Sequence, residues 1–564
     1  MHSDGRTIPA GTIIETELLI IGAGPAGITL AAELVDSGIQ VMLTESGDLN
    51  KNDEADALSQ GRSAVERFAS LDMYRRRVFG GASVIWGGRC IPYDAIDFEK
   101  RDYVPESGWP FDKSELDPWY KRAAEYCEIG KADFDARTSL KDPREFIAGF
   151  SSDIVGTTSF ERFSAPTDFG KRWRPVIDAA SNVKTVTGAT CTKLLTSADV
   201  ARIVEARFST LAGNSFCVRA KSYVIAAGGF ETYRLLAASN DFHAAGLGNT
   251  SDTLGRYLMA HIEGSLANLR LQDPASPIDW GFQITPEGIY GRRRFTLVPE
   301  VQKAEKILNF IVRLHHPTAV DPSHGSAILS LMFLAKQFIL PEYRRKMTMV
   351  ERRVANTMPQ GLPFWAQHLS NLVRGAPELA TFLVEWIYKR HFQYHRIPYV
   401  ALRSRNGIYP IDFNSEQIPN PDSRVILTDQ KDRFGVPVMF VDWRMTETDV
   451  ASIARSFRLM RSAFADSGVV ALDFDDASLE DRIREETVPV GGHCIGVTRM
   501  SNNPRTGVVN PDLRMHDVPN AFVLSAASLP TCSHANPTLT LVAMAARLAN
   551  HLRAGGAMAA TATQ

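Results

Sequence analysis

The alternation of apolar and polar positions predicts a strand, a turn, a helix and a second strand at the start of the chain. The apolar run Glu17 to Ile21 ends at the glycine-rich turn Gly22 to Gly27. A helical pattern follows and ends near Gly38, and a second apolar run, Ile39 to Leu43, leads to Glu45. Short apolar runs bounded by glycine are typical of buried parallel strands, and glycine is favoured directly after a helix. We therefore expect a βαβ unit at the N-terminus.

This turn has the chemistry of a dinucleotide site. Gly22, Gly24 and Gly27 let the backbone approach a pyrophosphate, and the helix N-terminus offers free N–H groups to its charge. Glu45, 18 residues after Gly27, is suited to accept hydrogen bonds from ribose hydroxyls, and its charge disfavours a 2′-phosphate. The turn alone leaves FAD and NAD open and argues against NADP.

A second glycine-rich segment, Val78 to Gly88, holds four glycines in eleven residues and predicts close backbone approach or tight turns. Further along, the buried strand that starts at Tyr223 runs into Gly228 and Gly229 and predicts a return to the N-terminal unit. Between them, short alternating stretches predict an antiparallel meander. These stretches are Lys184–Leu195, Val200–Leu211 and Ser215–Val218.

The region from Ser265 to Asn414 differs in composition, with scattered prolines followed by helical patterns. Helices are predicted over Ala327–Leu340, Glu342–Met358 and Pro377–Phe392. The first is the longest apolar segment, but polar residues interrupt it. We predict a buried or half-buried helix there, with a membrane-surface helix as the alternative. The basic residues of the second predict a solvated face, with an acidic partner surface as the alternative.

Composition narrows the class of protein. The chain has 564 residues, 44% hydrophobic and 22% charged, which is typical of a globular protein with several folding units. The 62 basic and 64 acidic residues nearly balance, so nothing indicates nucleic-acid binding. Six scattered cysteines predict reduced thiols, and no metal site is expected. No secretory signal pattern and no membrane-length apolar stretch is found, so we expect a cytoplasmic protein.

The sharpest chemical signal lies near the C-terminus. His493 begins the segment HCIGVTRM, and 43 residues later Asn536 begins the segment NPTLT. A strong helical pattern runs from Asn536 to His551, with Asn536 predicted at the N-cap and Pro537 in the first turn. An imidazole can take the proton of a hydroxyl near neutral pH, and an amide can hold the oxygen. The alternatives are a structural histidine and a simple helix cap.

Taken together, these segments resemble the glucose–methanol–choline (GMC) family of FAD-dependent oxidoreductases. Within the family the chain is most similar to pyranose oxidases, glycoside 3-oxidases and sugar dehydrogenases, on its NPTLT ending and the run Phe98 to Tyr120. The resemblance is weakest over Ser265 to Asn414, the variable substrate region of the family. The matching segments are GAGPAG with ESG at Glu45–Gly47, GGASVIWGG at Gly80–Gly88, AAGG at Ala226–Gly229, GRYLMAH at Gly255–His261, HCIGVTRM and ANPTLT.

The resemblance implies roles for individual residues. His493 matches the catalytic histidine of the family and Asn536 matches its partner. His534 is a further candidate for the site, whereas we expect His261 to be a structural residue between domains. Ile85 falls where some relatives carry a histidine bonded to the flavin, so FAD is expected to be non-covalent. The residues implied to contact FAD are Gly22, Gly24, Ala26, Gly27, Glu45, Ser46, Gly81, Ser83, Trp86, Gly87, Cys191, Ala227, Ser525, Ala526, Pro537 and Thr538.

The fold implied is α/β with α+β character: a Rossmann-like FAD-binding domain interleaved with a substrate domain of sheet and helices. The fingerprint is N-terminal and the last helix is C-terminal, so the FAD-binding domain is expected to be discontinuous. Its predicted segments are 1–95, 180–260 and 493–564. The segments predicted for the substrate-binding domain are 96–179 and 261–492, including a helical variable region at 326–395.

The function implied is oxidation of a secondary ring hydroxyl of a sugar or glycoside to the keto-sugar, by hydride transfer to flavin N5 with a histidine base. The N-terminus of the helix after Asn536 would stabilise negative charge on reduced flavin. A non-sugar alcohol or polyol substrate, or a hydroxynitrile-lyase-like protein with an idle flavin, are alternatives. The expected partners are a small sugar or glycoside substrate and an electron acceptor, either oxygen, a quinone or a redox protein. An oligomer is left open.

Overall fold

The first sheet is built from strands near both ends of the chain. The computed structural model describes residues 1–199, 202–335 and 358–556. The strands of this sheet are β1 His2–Asp4, β2 Ile13–Ile21, β3 Val41–Thr44, β8 Val183–Thr187, β9 Thr190–Thr196, β10 Ile203–Ser209, β11 Ser215–Ile225 and β23 Ala521–Val523. They are ordered β1-β8-β3-β2-β11-β10-β9, with β23 paired to β11.

Parallel pairing brings several turns to one edge of this sheet. β2 pairs in parallel with β3 and with β11, and β11 pairs in parallel with β23. The carboxyl ends of these four strands are Ile21, Thr44, Ile225 and Val523. Because the carboxyl ends of parallel strands meet at one edge, the glycine turn, Glu45 and the segment after Val523 lie near one another. The predicted N-terminal βαβ unit is confirmed.

The predicted antiparallel meander is wrong at its start. β9, β10 and β11 do pair antiparallel in sequence order. Lys184 to Thr187, however, lies in β8, which pairs in parallel with β3. The strand is interrupted between Thr187 and Thr190, where Gly188 has a φ of +67°, so one alternating stretch forms two strands with different partners.

The helices pack around and between the sheets. The most apolar helical segment of the middle region forms α9 (Ala327–Leu334), which packs against α10 (Leu362–Arg374). Within the described residues, no helix is long and apolar enough to cross a membrane. The helices are α1 Pro25–Glu33, α2 Asp53–Ala57, α3 Ala95–Phe98, α4 Asp117–Tyr126, α5 Ala136–Ser139, α6 Phe169–Ala179, α7 Gly229–Ala238, α8 Pro299–Ala304, α9 Ala327–Leu334, α10 Leu362–Arg374, α11 Ala376–Ile387, α12 Glu447–Asp466, α13 Leu479–Glu486 and α14 Thr538–His551.

Outcomes for the predicted helices of the variable region differ. α9 confirms the start of the first, and α11 confirms most of the third. Helix α10 was not predicted. It begins directly after Gly361 and has Pro363 in its first turn. The second predicted helix, with its basic cluster, lies outside the described residues except for Met358.

The second sheet has one apolar face and one polar face. Its strands are β6 Val155–Gly156, β12 Ile262–Gly264, β13 Asn268–Leu271, β16 Phe295–Leu297, β17 Phe310–Leu314, β18 Ile408–Ser415, β21 Val470–Asp473 and β22 Val488–Pro489. Phe310 and Phe413 pack against Phe457 of α12. Arg313 and Asp412 pair directly across the same two strands, β17 and β18. Because side chains alternate along a strand, Arg313 and Asp412 lie on the opposite face.

Two smaller sheets connect the two predicted domains. One consists of β5 Arg89–Cys90, β7 Phe160–Phe163, β14 Gln283–Ile284 and β15 Tyr290–Arg293. The other consists of β4 Gly61–Ser63, β19 Arg424–Lys431 and β20 Pro437–Asp442. In both, a strand from the first 95 residues pairs with a strand from the predicted substrate domain. The division into two domains therefore stays a prediction.

Candidate active site

A cavity lies at the carboxyl edge of the first sheet. Its wall combines the N-terminal glycine turn with segments from the middle and the end of the chain, and His493 is part of the same wall. Most residues predicted to contact FAD are brought together here. Those that line the cavity are Gly22, Gly24, Ala26, Glu45, Ser46, Gly81, Cys191, Ala227, Ala526, Pro537 and Thr538.

The glycine turn combines close packing with open space. Gly22 has a φ of +108°, and a Cβ on Gly27 would lie 2.0 Å from the Gly22 carbonyl oxygen. A Cβ on Gly24, by contrast, would meet no atom of the described chain within 4 Å. Among the described residues no side chain caps α1 at Gly24, so its first-turn N–H groups can bind a ligand. Gly27 thus packs the helix on the strand, while Gly24 leaves room at the cavity.

Glu45 both closes the turn and faces the cavity. Its Oε2 accepts a hydrogen bond from the Ala23 N–H at 2.9 Å, and its Oε1 accepts one from the Gly47 N–H at 2.9 Å. Burial raises the pKa of Glu45, and these N–H groups act in the opposite direction. Each carboxylate oxygen can accept a second hydrogen bond, so a ribose hydroxyl can still bind. Glu45 therefore also has a structural role that the sequence analysis did not foresee.

The remaining predicted cofactor residues do not line the cavity but shape its loops. Ser83 Oγ donates to a backbone carbonyl at 2.6 Å and accepts a backbone N–H at 3.1 Å. Trp86 Nε1 donates to a backbone carbonyl at 2.9 Å. Ser525 Oγ accepts a backbone N–H two residues further on, at 3.2 Å. Gly27 and Gly87 also lie outside the lining residues.

His493 is a titratable ring in the cavity wall. It is half-buried, and its buried Nδ1 has no hydrogen-bond partner among the described residues. Burial lowers the pKa of His493 to about 4, and the positive charge of Arg89 acts in the same direction. The ring is therefore neutral near pH 7, which is the state in which an imidazole can accept a proton.

The predicted N-cap position of Asn536 is wrong. Helix α14 begins at Thr538 with Pro537 at its N-cap, and no described side chain caps it. The reason is that the Pro537 carbonyl already accepts the first helical bond, from the Leu541 N–H at 2.8 Å. Asn536 is half-buried and directly precedes the lining residues Pro537 and Thr538, but it is not itself among them. Its amide is not used as a helix cap.

His534 is wholly buried and lies outside the lining residues. Its Nε2 is 2.7 Å from Asp94 Oδ2, and its Nδ1 is 3.1 Å from an Nη1 of Arg294. A guanidinium can only donate, so Nδ1 accepts and the Nε2–H donates to Asp94. Burial lowers the pKa of His534, which favours this neutral ring. Both nitrogens are therefore occupied by protein partners.

A basic cluster in the wall was missed from the sequence. Arg75, Arg76 and Arg77 line the cavity together with Glu231. Glu231 pairs with Arg75 at 2.8 Å and with Arg77 at 2.7 Å, and Arg77 also donates to Ser46 Oγ at 2.7 Å. Burial would raise the pKa of Glu231, but Arg77 and Arg75 lower it to about 2. The run of three arginines directly before the second glycine segment was the available signal.

The polar face of the second sheet holds charged pairs deep in the protein. Arg313 Nε donates to Glu161 Oε2 at 2.9 Å, and His315 Nε2 is 2.7 Å from Asp412 Oδ2. Burial would raise the pKa of Asp412, but His315 holds it below its usual range. The side chain of Asp412 nevertheless keeps 41% of its surface accessible. The Asp412 carboxylate is therefore accessible on this face of the sheet.

Arg89 connects this polar face to His493. Its charge lowers the pKa of His493 and also acts on the pKa of Glu263. Burial and the neighbouring Asp412 raise the pKa of Glu263 to about 7. The charged face and His493 therefore lie within electrostatic range of the same guanidinium. Strand alternation was the only sequence signal for these residues.

The cavity fits FAD at several points. The space beside Gly24 and the uncapped N-terminus of α1 suit a pyrophosphate, and Arg75 and Arg77 supply positive charge. The uncapped N-terminus of α14 adds a second positive dipole end in the wall. Glu45 keeps acceptor capacity for a ribose. A pyrophosphate and a ribose, the two groups that these features can bind, are both parts of FAD.

Comparisons with known proteins agree with this site. A GMC oxidoreductase family model matches residues 419–545, and an FAD binding domain model matches residues 15–76. The chain is 23% identical to 2-methyl-1,2-propanediol dehydrogenase of Mycolicibacterium austroafricanum, over 95% of each chain. It is also 23% identical to 6‴-hydroxyparomomycin C oxidase of Streptomyces lividus, over 98% of this chain and 94% of the relative.

Solved structures give the same fold. An FAD-dependent oxidoreductase from Chaetomium thermophilum superposes with a TM-score of 0.54 at 14% identity, over 96% of this chain and 99% of that one. At this identity the likeness concerns the fold alone. The two family models and the relatives that span nearly the whole chain identify an FAD-dependent oxidoreductase that acts on CH–OH groups, with a GMC oxidoreductase domain at residues 419–545 and an FAD binding domain at residues 15–76.

Proposed function

We propose that this enzyme oxidises a secondary ring hydroxyl of a sugar or glycoside to the ketone. The observation that carries the proposal is the position of His493. It lies in the wall of the cavity that begins at the N-terminal glycine turn, and its ring is neutral near pH 7. A base for the hydroxyl proton is thereby available beside the cofactor cavity.

Each group in the cavity would have a separate role in the reaction. Bound FAD would supply the hydride acceptor. His493 would take the hydroxyl proton, because its pKa of about 4 keeps the ring unprotonated at neutral pH. Asn536, whose amide does not cap α14, would hold the substrate oxygen. The N-terminus of α14 would favour negative charge in the cavity.

The polar face of the second sheet supports a hydroxyl-rich substrate. Arg89, Glu263 and Asp412 offer both donors and acceptors on or next to this face. Carboxylates and guanidinium groups bind vicinal hydroxyls through pairs of hydrogen bonds. A substrate with several hydroxyls could hydrogen-bond the positions that these groups have left free, whereas a simple aliphatic alcohol could occupy only one of them.

A polyol is the second candidate substrate. It is favoured by the relative named as a 2-methyl-1,2-propanediol dehydrogenase, which matches 95% of this chain, as fully as the relative named for an aminoglycoside. Both names concern CH–OH oxidation. The substrates in the two names differ in size. We expect the polar face to favour one of them over the other.

Non-covalent binding of FAD is part of the proposal. Ile85 stands where a tethering histidine would be needed, and its side chain is 44% exposed in a groove apart from the main cavity. Isoleucine has no nucleophilic atom. Acid precipitation should release yellow flavin into the supernatant, and flavin that stays in the pellet would refute this point.

Anaerobic flavin reduction tests the function. The purified holoenzyme is mixed with free sugars, O- and C-glycosides and small diols, and loss of flavin absorbance is followed without oxygen. We expect sugars or glycosides to reduce the flavin faster than diols. Preference for the diols would favour the second candidate. A flavin that no CH–OH compound reduces would contradict the proposal and revive the lyase-like alternative.

A further inference from the structure

His261 touches both segments that carry the proposed catalytic groups. The chain from Met259 to His261 pairs with the segment that leads into His493. Met259 and Ile495 exchange two backbone hydrogen bonds, at 2.9 and 3.1 Å, and the His261 carbonyl accepts the Val490 N–H at 2.9 Å. The His261 and His493 rings then meet edge to face, with centroids 4.8 Å apart and planes at 78°.

The ring of His261 also holds the segment before Asn536. His261 Nδ1 lies 3.0 Å from the Ser533 carbonyl oxygen. A carbonyl oxygen can only accept, so the proton of the neutral ring is on Nδ1 and Nε2 carries the lone pair. Ser533 has a φ of +55°, a left-handed conformation that a non-glycine residue keeps only when its surroundings fix it. His261 supplies one of the contacts that fix it.

Burial keeps this arrangement in one protonation state. His261 is wholly buried, and burial places its pKa well below the usual value for histidine. The Cys532 thiol and the His493 ring are its other polar neighbours, and Nε2 has no hydrogen-bond partner among the described residues. The ring therefore stays neutral, so it can orient its neighbours without adding a charge beside His493.

We propose that His261 is a positioning residue of the active site, which sets the orientation of the His493 ring and its separation from Asn536. The ring contact restrains His493, and the Nδ1–H bond to Ser533 restrains the backbone three residues before Asn536. From its sequence alone, His261 is expected only to be a structural residue between domains. The present inference rests on the proposed role of His493.

Two substitutions separate the two contacts. His261→Asn keeps a donor near the place of Nδ1 but removes the ring beside His493. His261→Phe keeps a ring there but removes the donor to Ser533. Misplacement of a catalytic group by about 1 Å costs about 10²-fold in rate. We expect both variants to bind FAD and to reduce it about 10–100-fold more slowly at saturating substrate, with KM changed much less.

A second readout needs no substrate. Histidine NMR on the holoenzyme gives the tautomer of His261 and the pKa of His493. We expect the wild-type His261 ring to carry its proton on Nδ1 and not to titrate between about pH 5 and 8. In His261→Asn the loss of the packed ring should admit water and raise the pKa of His493 from about 4 toward its usual value.

His368 provides the matched control. It is another buried histidine, whose Nδ1 meets Ser330 Oγ at 3.0 Å and whose Nε2 meets the Val320 carbonyl at 3.2 Å, in a separate apolar cluster. His368→Asn should lower the unfolding temperature without changing the rate of flavin reduction or the pKa of His493. If both His261 variants also lowered the unfolding temperature but left the rate of flavin reduction and the pKa of His493 unchanged, His261 would have a merely structural role. That result would overturn the inference.

The outcomes also separate this inference from the proposed function. A wild-type flavin that no alcohol reduces would contradict the proposed function, while the NMR titration would still decide the role of His261. An Nε2–H tautomer for His261, or an unchanged His493 pKa in His261→Asn, would overturn the inference even if the enzyme oxidises sugars. The tautomer is read in the wild type, so that test does not depend on the folding of any variant.

Discussion

The two histidines of the C-terminal motifs lie in contrasting surroundings. His493 is half-buried in the cavity wall, and its Nδ1 has no partner among the described residues. His534 is wholly buried, with one nitrogen on Asp94 and the other on Arg294. Burial lowers the pKa of both rings. The difference between them is therefore not the protonation state but the availability of a nitrogen.

This contrast shows what makes a histidine able to act as a base. A neutral imidazole can accept a proton only if its lone pair is not already bound. In His534 the lone pair on Nδ1 accepts from Arg294, and the Nε2–H donates to Asp94. The ring thereby hydrogen-bonds two charged side chains, and the pKa of Asp94 is held well below its usual range, against the effect of burial, by His534 and Arg294. The Nδ1 of His493 makes no such hydrogen bond to a described residue.

The largest expected effect on stability comes from His534. His534→Ala removes the neutral ring that hydrogen-bonds both Asp94 and Arg294, and losing hydrogen bonds to charged groups costs about 1.5–3 kcal/mol of the free energy of unfolding. Urea unfolding at saturating FAD measures it. His534→Gln, whose amide can both donate and accept, should recover much of the loss. A His534→Ala enzyme of wild-type stability would show that these hydrogen bonds do not contribute to the free energy of unfolding.

The next effect concerns the cofactor cavity. Gly24→Val would place a side chain in the open space of the wall, so we expect FAD affinity to fall at least tenfold, about 1.4 kcal/mol. Gly361→Val is the matched control, because Gly361 also precedes a proline-started helix and has nearly the same backbone angles. Flavin content after gel filtration checks both variants. Equal flavin retention would contradict the cavity assignment.

The pH dependence of the chemical step should show the smallest change. In the proposed mechanism the neutral form of His493 accepts the hydroxyl proton, and its lowered pKa keeps the ring mostly neutral down to about pH 4. The rate of flavin reduction should therefore stay level as the pH falls past 6.5, and should decrease only as it approaches about 4. Stopped-flow rates across this range test it. An acid limb near pH 6.5 would contradict the buried environment assigned to His493.

The cofactor half of the molecule was largely predictable from the sequence, for a physical reason. Phosphate binding uses backbone N–H groups, and these require glycine at positions such as Gly22, Gly24 and Gly27, which the sequence displays directly. Glu45 was identified in the same way, although its bonds to Ala23 and Gly47 were not. Spacing reveals backbone geometry better than it reveals side-chain partners.

The substrate half was much less predictable. Arg89, Glu161, Arg313 and Asp412 come from separate strands that meet only through sheet pairing, so no local pattern joins them. The ring contact of His261 with His493 was not foreseen for the same reason, because it depends on a bridge between segments over 200 residues apart. The N-cap of α14 was predicted one residue too early, at Asn536. The carbonyl that accepts the first helical hydrogen bond belongs to Pro537.

The most direct test of the central claim is the rate of anaerobic flavin reduction in His493→Ala, compared with His534→Gln at equal flavin content. Loss of a general base typically costs about 10²–10⁴-fold. The account predicts that His493→Ala keeps FAD and its fold, and reduces the flavin about 10²–10⁴-fold more slowly than wild type, while His534→Gln stays within about tenfold. A wild-type rate in His493→Ala, with a large loss in His534→Gln, would contradict it and transfer the role of base to His534.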